Sequence, residues 1–111
     1  MEVLFKPTKA SEVPIRHDYD QAVSYFVGAA AAGDDIGIKE DKGFAINPWT
    51  AVRFENSKTI LNADSATAMG EYYFTTLEGT VAKVEYTFQY KRGADGNLKI
   101  VVHHSSLPYS P

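Results

Sequence analysis

Lys83-Val84-Glu85-Tyr86-Thr87-Phe88-Gln89-Tyr90-Lys91 changes character at every step. Val84, Tyr86, Phe88 and Tyr90 recur at period two, with Lys83, Glu85, Thr87, Gln89 and Lys91 between them. Successive side chains of a strand point to opposite faces, so this stretch reads as a strand with one aromatic face and one polar face. A sheet built on it has a covered side and a wet side.

The flanking turns extend the reading to neighbouring strands. Taking Glu78-Gly79 as a two-residue hairpin loop pairs Leu77 with Thr80, Tyr73 with Val84, Glu71 with Tyr86 and Met69 with Phe88. Asp95-Gly96, taken the same way, sets Tyr90 opposite Val101, Phe88 opposite His103 and Tyr86 opposite Ser105. The predicted strands are about Ala66–Leu77, Thr80–Lys91 and Leu98–Ser105, an antiparallel meander. One face then carries Met69, Glu71, Tyr73, Val84, Tyr86, Phe88, Tyr90, Val101, His103 and Ser105. A bulge in either long strand would invert part of that assignment.

Upstream, Trp49–Glu55 alternates as a further strand, Asn56-Ser57-Lys58 reads as a turn, and Thr59-Ile60-Leu61 as a short strand. Val3-Leu4-Phe5 is a short strand closed by Pro7, and Thr8 to Arg16 a loop. Asp18 with Gln21 three residues on is a capping-box start for one helix, Asp18 to Val27. Tyr19, Ala22, Val23, Phe26 and Val27 make its apolar stripe, which should cover the aromatic sheet face, and Gly28 ends it. Ala29–Ala32 can extend the helix before Gly33, and Asp34 to Gly43 reads as a mobile loop. The expected fold is α+β: a strongly curved antiparallel sheet packed on one main helix, a single domain over residues 1–111.

Composition narrows the function classes. Apolar residues make up 44% of the 111, enough to build a core. The formal charge is -3 with scattered cations, which argues against a phosphate-tracking nucleic-acid surface. No apolar run is long enough to span a membrane, and the first residues do not resemble a leader. Zero cysteines exclude thiolate chemistry and suit a cytoplasmic setting. His103 and His104, adjacent on a strand, point to opposite faces and cannot share one metal ion, and neither a His-x-x-x-His pair nor a calcium loop occurs. No metal or other cofactor is expected.

The chemistry-bearing candidates lie on the aromatic face. A carboxylate and an imidazole there are costly unless paired or wetted. Glu71 as a general base, with Tyr73 or His103 polarising a carbonyl, is one use of such a face. A ligand pocket lined by Glu71, Tyr73, Tyr86, Phe88, His103 and Ser105 is the other.

Ala68-Met69-Gly70-Glu71-Tyr72-Tyr73-Phe74, Val84 to Tyr90, and the ending Leu98 to Pro108 resemble the nuclear-transport-factor-like (SnoaL-like, cystatin-like) superfamily. The resemblance is nearest to the calcium/calmodulin-dependent kinase association-domain type. It implies a cone-shaped sheet with a pocket, and a homodimer or larger homo-oligomer. Two departures from the resemblance stand out: the two helices that open the family and lid its cone are not expected in this sequence, and Ser105 occupies the place of an arginine that serves anion binding in association domains.

These readings lead to three expectations: a small-ligand-binding or self-association domain for an apolar or aromatic ligand; a cofactor-independent isomerase, dehydratase or cyclase with a pocket carboxylate as base; or an accessory module binding a partner through the Lys83–Lys91 face.

Overall fold

A computed structural model describes residues 2–111. Its five strands are β1 (Leu4–Lys6), β2 (Ala51–Leu61), β3 (Ser65–Thr75), β4 (Val81–Arg92) and β5 (Leu98–Ser106), arranged in the order β1-β5-β4-β3-β2. The last four form the expected antiparallel meander; β1 joins its edge parallel to β5, with Phe5 beside His103. The α+β class and curved sheet are as expected.

The register of β3 is not. Thr75 pairs with Val81, and the Thr76 N–H donates to the Thr80 carbonyl at 2.9 Å, so the loop is Leu77-Glu78-Gly79. Gly79 supplies a φ of 87° that residues with a side chain resist. One extra loop residue moves the pairing by one and turns every β3 side chain over. Tyr72 therefore pairs with Val84, Gly70 with Tyr86 and Ala68 with Phe88, while Met69, Glu71 and Tyr73 join Lys83, Glu85 and Thr87 on the polar face.

Asp95-Gly96 likewise belongs to a three-residue loop instead of the expected two-residue one, and there a second feature offsets the first. Arg92 pairs with Leu98 around a loop of Ala94-Asp95-Gly96, with Gly96 at φ 82°. Tyr90 then pairs with Ile100 and Gln89 with Val102, leaving Val101 as a bulged extra residue. Beyond the bulge Phe88 faces His103 and Tyr86 faces Ser105, as expected. A second bulge, at Ser57, replaces the expected Asn56-Ser57-Lys58 turn and keeps β2 continuous.

Side-chain size accounts for the observed β3–β4 register. Ala66, Ala68 and Gly70 lie opposite Tyr90, Phe88 and Tyr86; then Tyr72 and Phe74 lie opposite Val84 and Ala82. Small residues face large ones on both sides of the crossover, the packing a dense core requires. Ala68, Tyr72, Phe74, Val84, Tyr86 and Phe88 form the core, with Phe44, Trp49 and Tyr90 packed against it.

Helix α1 (Tyr19–Val27) starts as expected: Asp18 Oδ1 accepts from the Gln21 N–H at 2.8 Å, and Gly28 ends it at φ 92°. Its buried residues, however, are Ser24 and Tyr25 rather than the expected stripe, and Tyr19 is 77% exposed. The helix meets the sheet at the β1 edge, where Phe5 packs on Tyr25 and Phe26 with ring centroids 5.6 and 5.4 Å apart. The sheet centre is capped instead by Phe44 and Trp49, which pack on Phe74 at 5.1 and 5.3 Å.

A buried ion pair explains the helix's orientation. Arg16, wholly buried, makes a two-pronged contact to Asp41 at 2.6 and 2.8 Å and donates to the Val13 and Gln21 carbonyls. Ser24 Oγ donates to the same carboxylate at 2.6 Å, which draws that helix face inward. The expected mobile loop, Asp34 to Gly43, is thus tied down: Asp41 holds Arg16, and Glu40 accepts from the N–H groups of Ser11, Glu12 and Val13. The three N–H donors, Ser11 foremost, hold the Glu40 carboxyl down to about 2.

Candidate active site

Three polar atoms converge on the aromatic face of the sheet. The Tyr72 hydroxyl lies 3.1 Å from His103 Nε2, Ser105 Oγ lies 3.0 Å from the same nitrogen, and the two hydroxyls are hydrogen-bonded to each other. His103 and Ser105 are two apart on β5 and so share a face. Tyr72 reaches them from β3, across β4, where its pairing partner is the small Val84.

The surroundings of this triangle are aromatic. Phe5 stacks on the His103 ring at a centroid distance of 4.8 Å, and Phe88 packs tilted against it at 4.4 Å. Tyr72 packs between Phe74, at 4.9 Å, and Tyr86, at 5.1 Å. Burial between the two phenyl rings, with a smaller contribution from His104, pushes the imidazole down to about 4. At neutral pH His103 is therefore uncharged, with one ring nitrogen free to accept. Burial pushes the Tyr72 hydroxyl up, so it remains a donor. The site combines two hydroxyls and a neutral imidazole, without a carboxylate. Such a set offers donors to a small oxyanion and an acceptor for a hydroxyl or water, at no net charge.

Among the residues expected to line a pocket, the structure brings together His103 and Ser105, with Phe88 and Tyr86 as walls. It does not bring Glu71 or Tyr73 to them. Because the β3–β4 loop has three residues, both lie on the opposite face: Glu71 pairs with Lys83 at 2.7 Å, and Tyr73 lies under the Arg53 guanidinium with its hydroxyl 3.4 Å from Glu55. A general-base role for Glu71 beside His103 is therefore excluded by placement. Tyr72 is the residue that sequence reasoning missed; the run of small residues Ala66, Ala68 and Gly70 against Tyr90, Phe88 and Tyr86 was the signal that fixes its face. Among the described residues no group of three or more His, Cys, Asp or Glu side chains is placed to hold a metal ion, and no helix is long and apolar enough to cross a membrane.

A curved sheet that carries a small polar cluster among aromatic rings defines a cone-type α+β protein. A family model described as metal-independent carbonic anhydrase matches residues 1–107, and the chain belongs to that family. It is 41% identical over 108 residues to a metal-independent carbonic anhydrase of Nostoc sp., covering 96% of this chain and 50% of that protein. It is similar, at 37% identity and a TM-score of 0.83, to the crystal structure of an iota-carbonic anhydrase from a cyanobacterium complexed with bicarbonate, covering 99% of this chain and 65% of that one. The chain thus spans about half the length of the curated relative. A protein of Thiobacillus denitrificans described as a calcium/calmodulin-dependent kinase type II association domain shares the fold at 16% identity and a TM-score of 0.65, over 96% of this chain and 72% of its own.

These findings correct the sequence-based readings of function. The nuclear-transport-factor-like fold stands. Association-domain proteins are among the structural neighbours, as the resemblance implied, but the family match is more specific and is to carbonic anhydrases. The readings as an uncharacterised ligand-binding or self-association domain, and as an isomerase, dehydratase or cyclase, give way to the same finding.

Proposed function

We propose that this chain carries a carbonic anhydrase site, in which Tyr72, His103 and Ser105 hold bicarbonate and the atoms that become it. The convergence of the two hydroxyls on His103 Nε2 is the observation that carries the reading. Membership of the family and the bicarbonate complex of the cyanobacterial relative support it.

The geometry suits the reaction. In hydration, water donates a hydrogen bond to His103 Nε2 while its oxygen attacks the carbon of carbon dioxide. As the new C–O bond forms, one C=O π pair moves onto an oxygen that accepts from Tyr72 and Ser105, and the water proton passes to the imidazole. Donors aimed at developing oxyanion charge in a dry site are worth far more than in bulk water. An imidazolium with a pKa of about 4 gives its proton up readily, which returns His103 to its accepting form. In the reverse direction the bicarbonate hydroxyl leaves as water once reprotonated. With no full positive charge in the cradle, the anion is held by hydrogen bonds and leaves easily.

The test is stopped-flow carbon dioxide hydration by the purified chain, followed with a pH indicator. Tyr72→Phe and Ser105→Ala should each lower kcat about 100-fold, the usual cost of one oxyanion donor. A wild-type rate equal to the uncatalysed one would refute the assignment, as would unaltered rates in both variants. The homodimer expected from the sequence remains part of this proposal: β2 is exposed along its length, with Phe54 52% exposed. Light scattering that finds only monomer would remove it.

A further inference from the structure

Tyr86 is buried to 4% exposure, so its hydroxyl needs a partner. That partner is not Ser105, its neighbour on β5. The hydroxyl crosses β3 and donates to Asn56 Oδ1 on β2. Its path runs over Gly70, which stands between the two in the paired register. A Cβ on Gly70 would sit 2.7 Å from the Tyr86 hydroxyl oxygen and 2.3 Å from the Glu55 carbonyl oxygen, closer than real contacts allow. The bulge at Ser57 follows Asn56 directly, so the β2–β3 ladder shifts register where this bond is made.

The fixed ring then sets the positions of others. Tyr86 stands between Tyr72 and Phe88, at 5.1 and 4.8 Å, and Phe88 backs the His103 ring at 4.4 Å. Both halves of the cradle, the β3 hydroxyl and the β5 imidazole, therefore lean on one aromatic wedge. We infer that Gly70, Tyr86 and Asn56 form a strap of positioning residues that holds Tyr72 and His103 at hydrogen-bonding separation. This rests on the reading of Tyr72, His103 and Ser105 as the reacting site. None of the three strap residues touches substrate: Tyr86 acts through its ring, Asn56 by anchoring the hydroxyl, and Gly70 by leaving room.

Tyr86→Phe removes the anchor and keeps the wedge; Asn56→Ala removes the anchor from the other side, at an exposed position. Each should lower kcat for carbon dioxide hydration about tenfold with KM within about twofold, because the loss is of alignment rather than of binding. The double variant should be no slower than either single one, since both break the same bond. The nitrogen-15 resonance of His103 Nε2 should move in each variant, a change that general loosening of the sheet would not produce while the circular dichroism spectrum is unaltered. Wild-type kcat and an unmoved His103 resonance in both variants would overturn the inference, and so would strictly additive losses. If the wild-type chain hydrates no carbon dioxide, the functional reading falls, and the His103 resonance alone still decides the strap: a shift in both variants upholds it and no shift refutes it.

Discussion

Replacing His103 with glutamine tests the electrostatic heart of the site. In the folded chain the imidazole is pushed from 6.5 down to about 4 by burial between Phe5 and Phe88. The unfolded chain takes up this proton near pH 6.5, the folded one only near about pH 4. Within that window the unfolded state binds more protons, so stability falls as pH falls, and the loss is complete below about 4. A difference of this size corresponds to about 3 kcal/mol of folding free energy, a large part of what a small domain possesses. Glutamine neither gains that proton nor loses it. Urea unfolding of wild type and His103→Gln across the window should therefore give a difference curve that is flat above pH 6.5 and declines toward pH 4, against the wild type. Parallel stability curves, or an imidazole carbon resonance titrating near 6.5, would refute the claim that this ring is kept neutral. Carbon dioxide hydration read over the same range should keep its His103-dependent component until the pH nears about 4.

Three further outcomes follow from other parts of the molecule. Asp41→Ala strands the buried Arg16 guanidinium and should cost about 3–5 kcal/mol in urea unfolding; a loss below about 1 kcal/mol would mean that the pair is not the anchor of the helix. Glu40→Gln should remove the acid dependence of stability that belongs to a carboxyl lowered from 4.5 to about 2, stabilisation present above 4.5 and lost as pH falls through about 2, so unchanged acid unfolding would contradict the three N–H contacts. Glu71→Gln, on the far face, should leave kcat within about twofold of wild type; a loss resembling that of a general base, about 100-fold, would return Glu71 to the site.

The strands, the helix cap and the aromatic face of β4 were legible because each depends on residues near in sequence. Period two in Val84 to Tyr90 needs no knowledge of a partner strand, and Asp18 with Gln21 is a local signature. Register was harder, because it depends on how many residues a turn absorbs. A Gly at a hairpin suits a two-residue loop and a three-residue loop with a left-handed last residue equally well. The extra residue at the first turn puts Glu71 and Tyr73 on the far face and Tyr72 in the core. The one at the second turn leaves His103 and Ser105 in place because the Val101 bulge restores the count. The Arg16–Asp41 pair was invisible, since two charges 25 residues apart carry no local mark of being joined. What the Tyr72–His103–Ser105 cluster would have needed from sequence was the size pattern across β3 and β4, which links residues that no turn signal connects.

The Leu77-Glu78-Gly79 loop sets the parity of the whole sheet. Deleting one residue there touches no member of the cradle, yet it would rotate β3 by half a turn relative to β4. Tyr72 would swing out to solvent, and Glu71 and Tyr73 would face inward to His103 in its place. Length polymorphism at an exposed hairpin tip is ordinarily tolerated; here it is an all-or-none edit of the chemistry. Relatives that vary at this tip should therefore change by whole pairs of residues, or carry a compensating bulge of the kind at Val101.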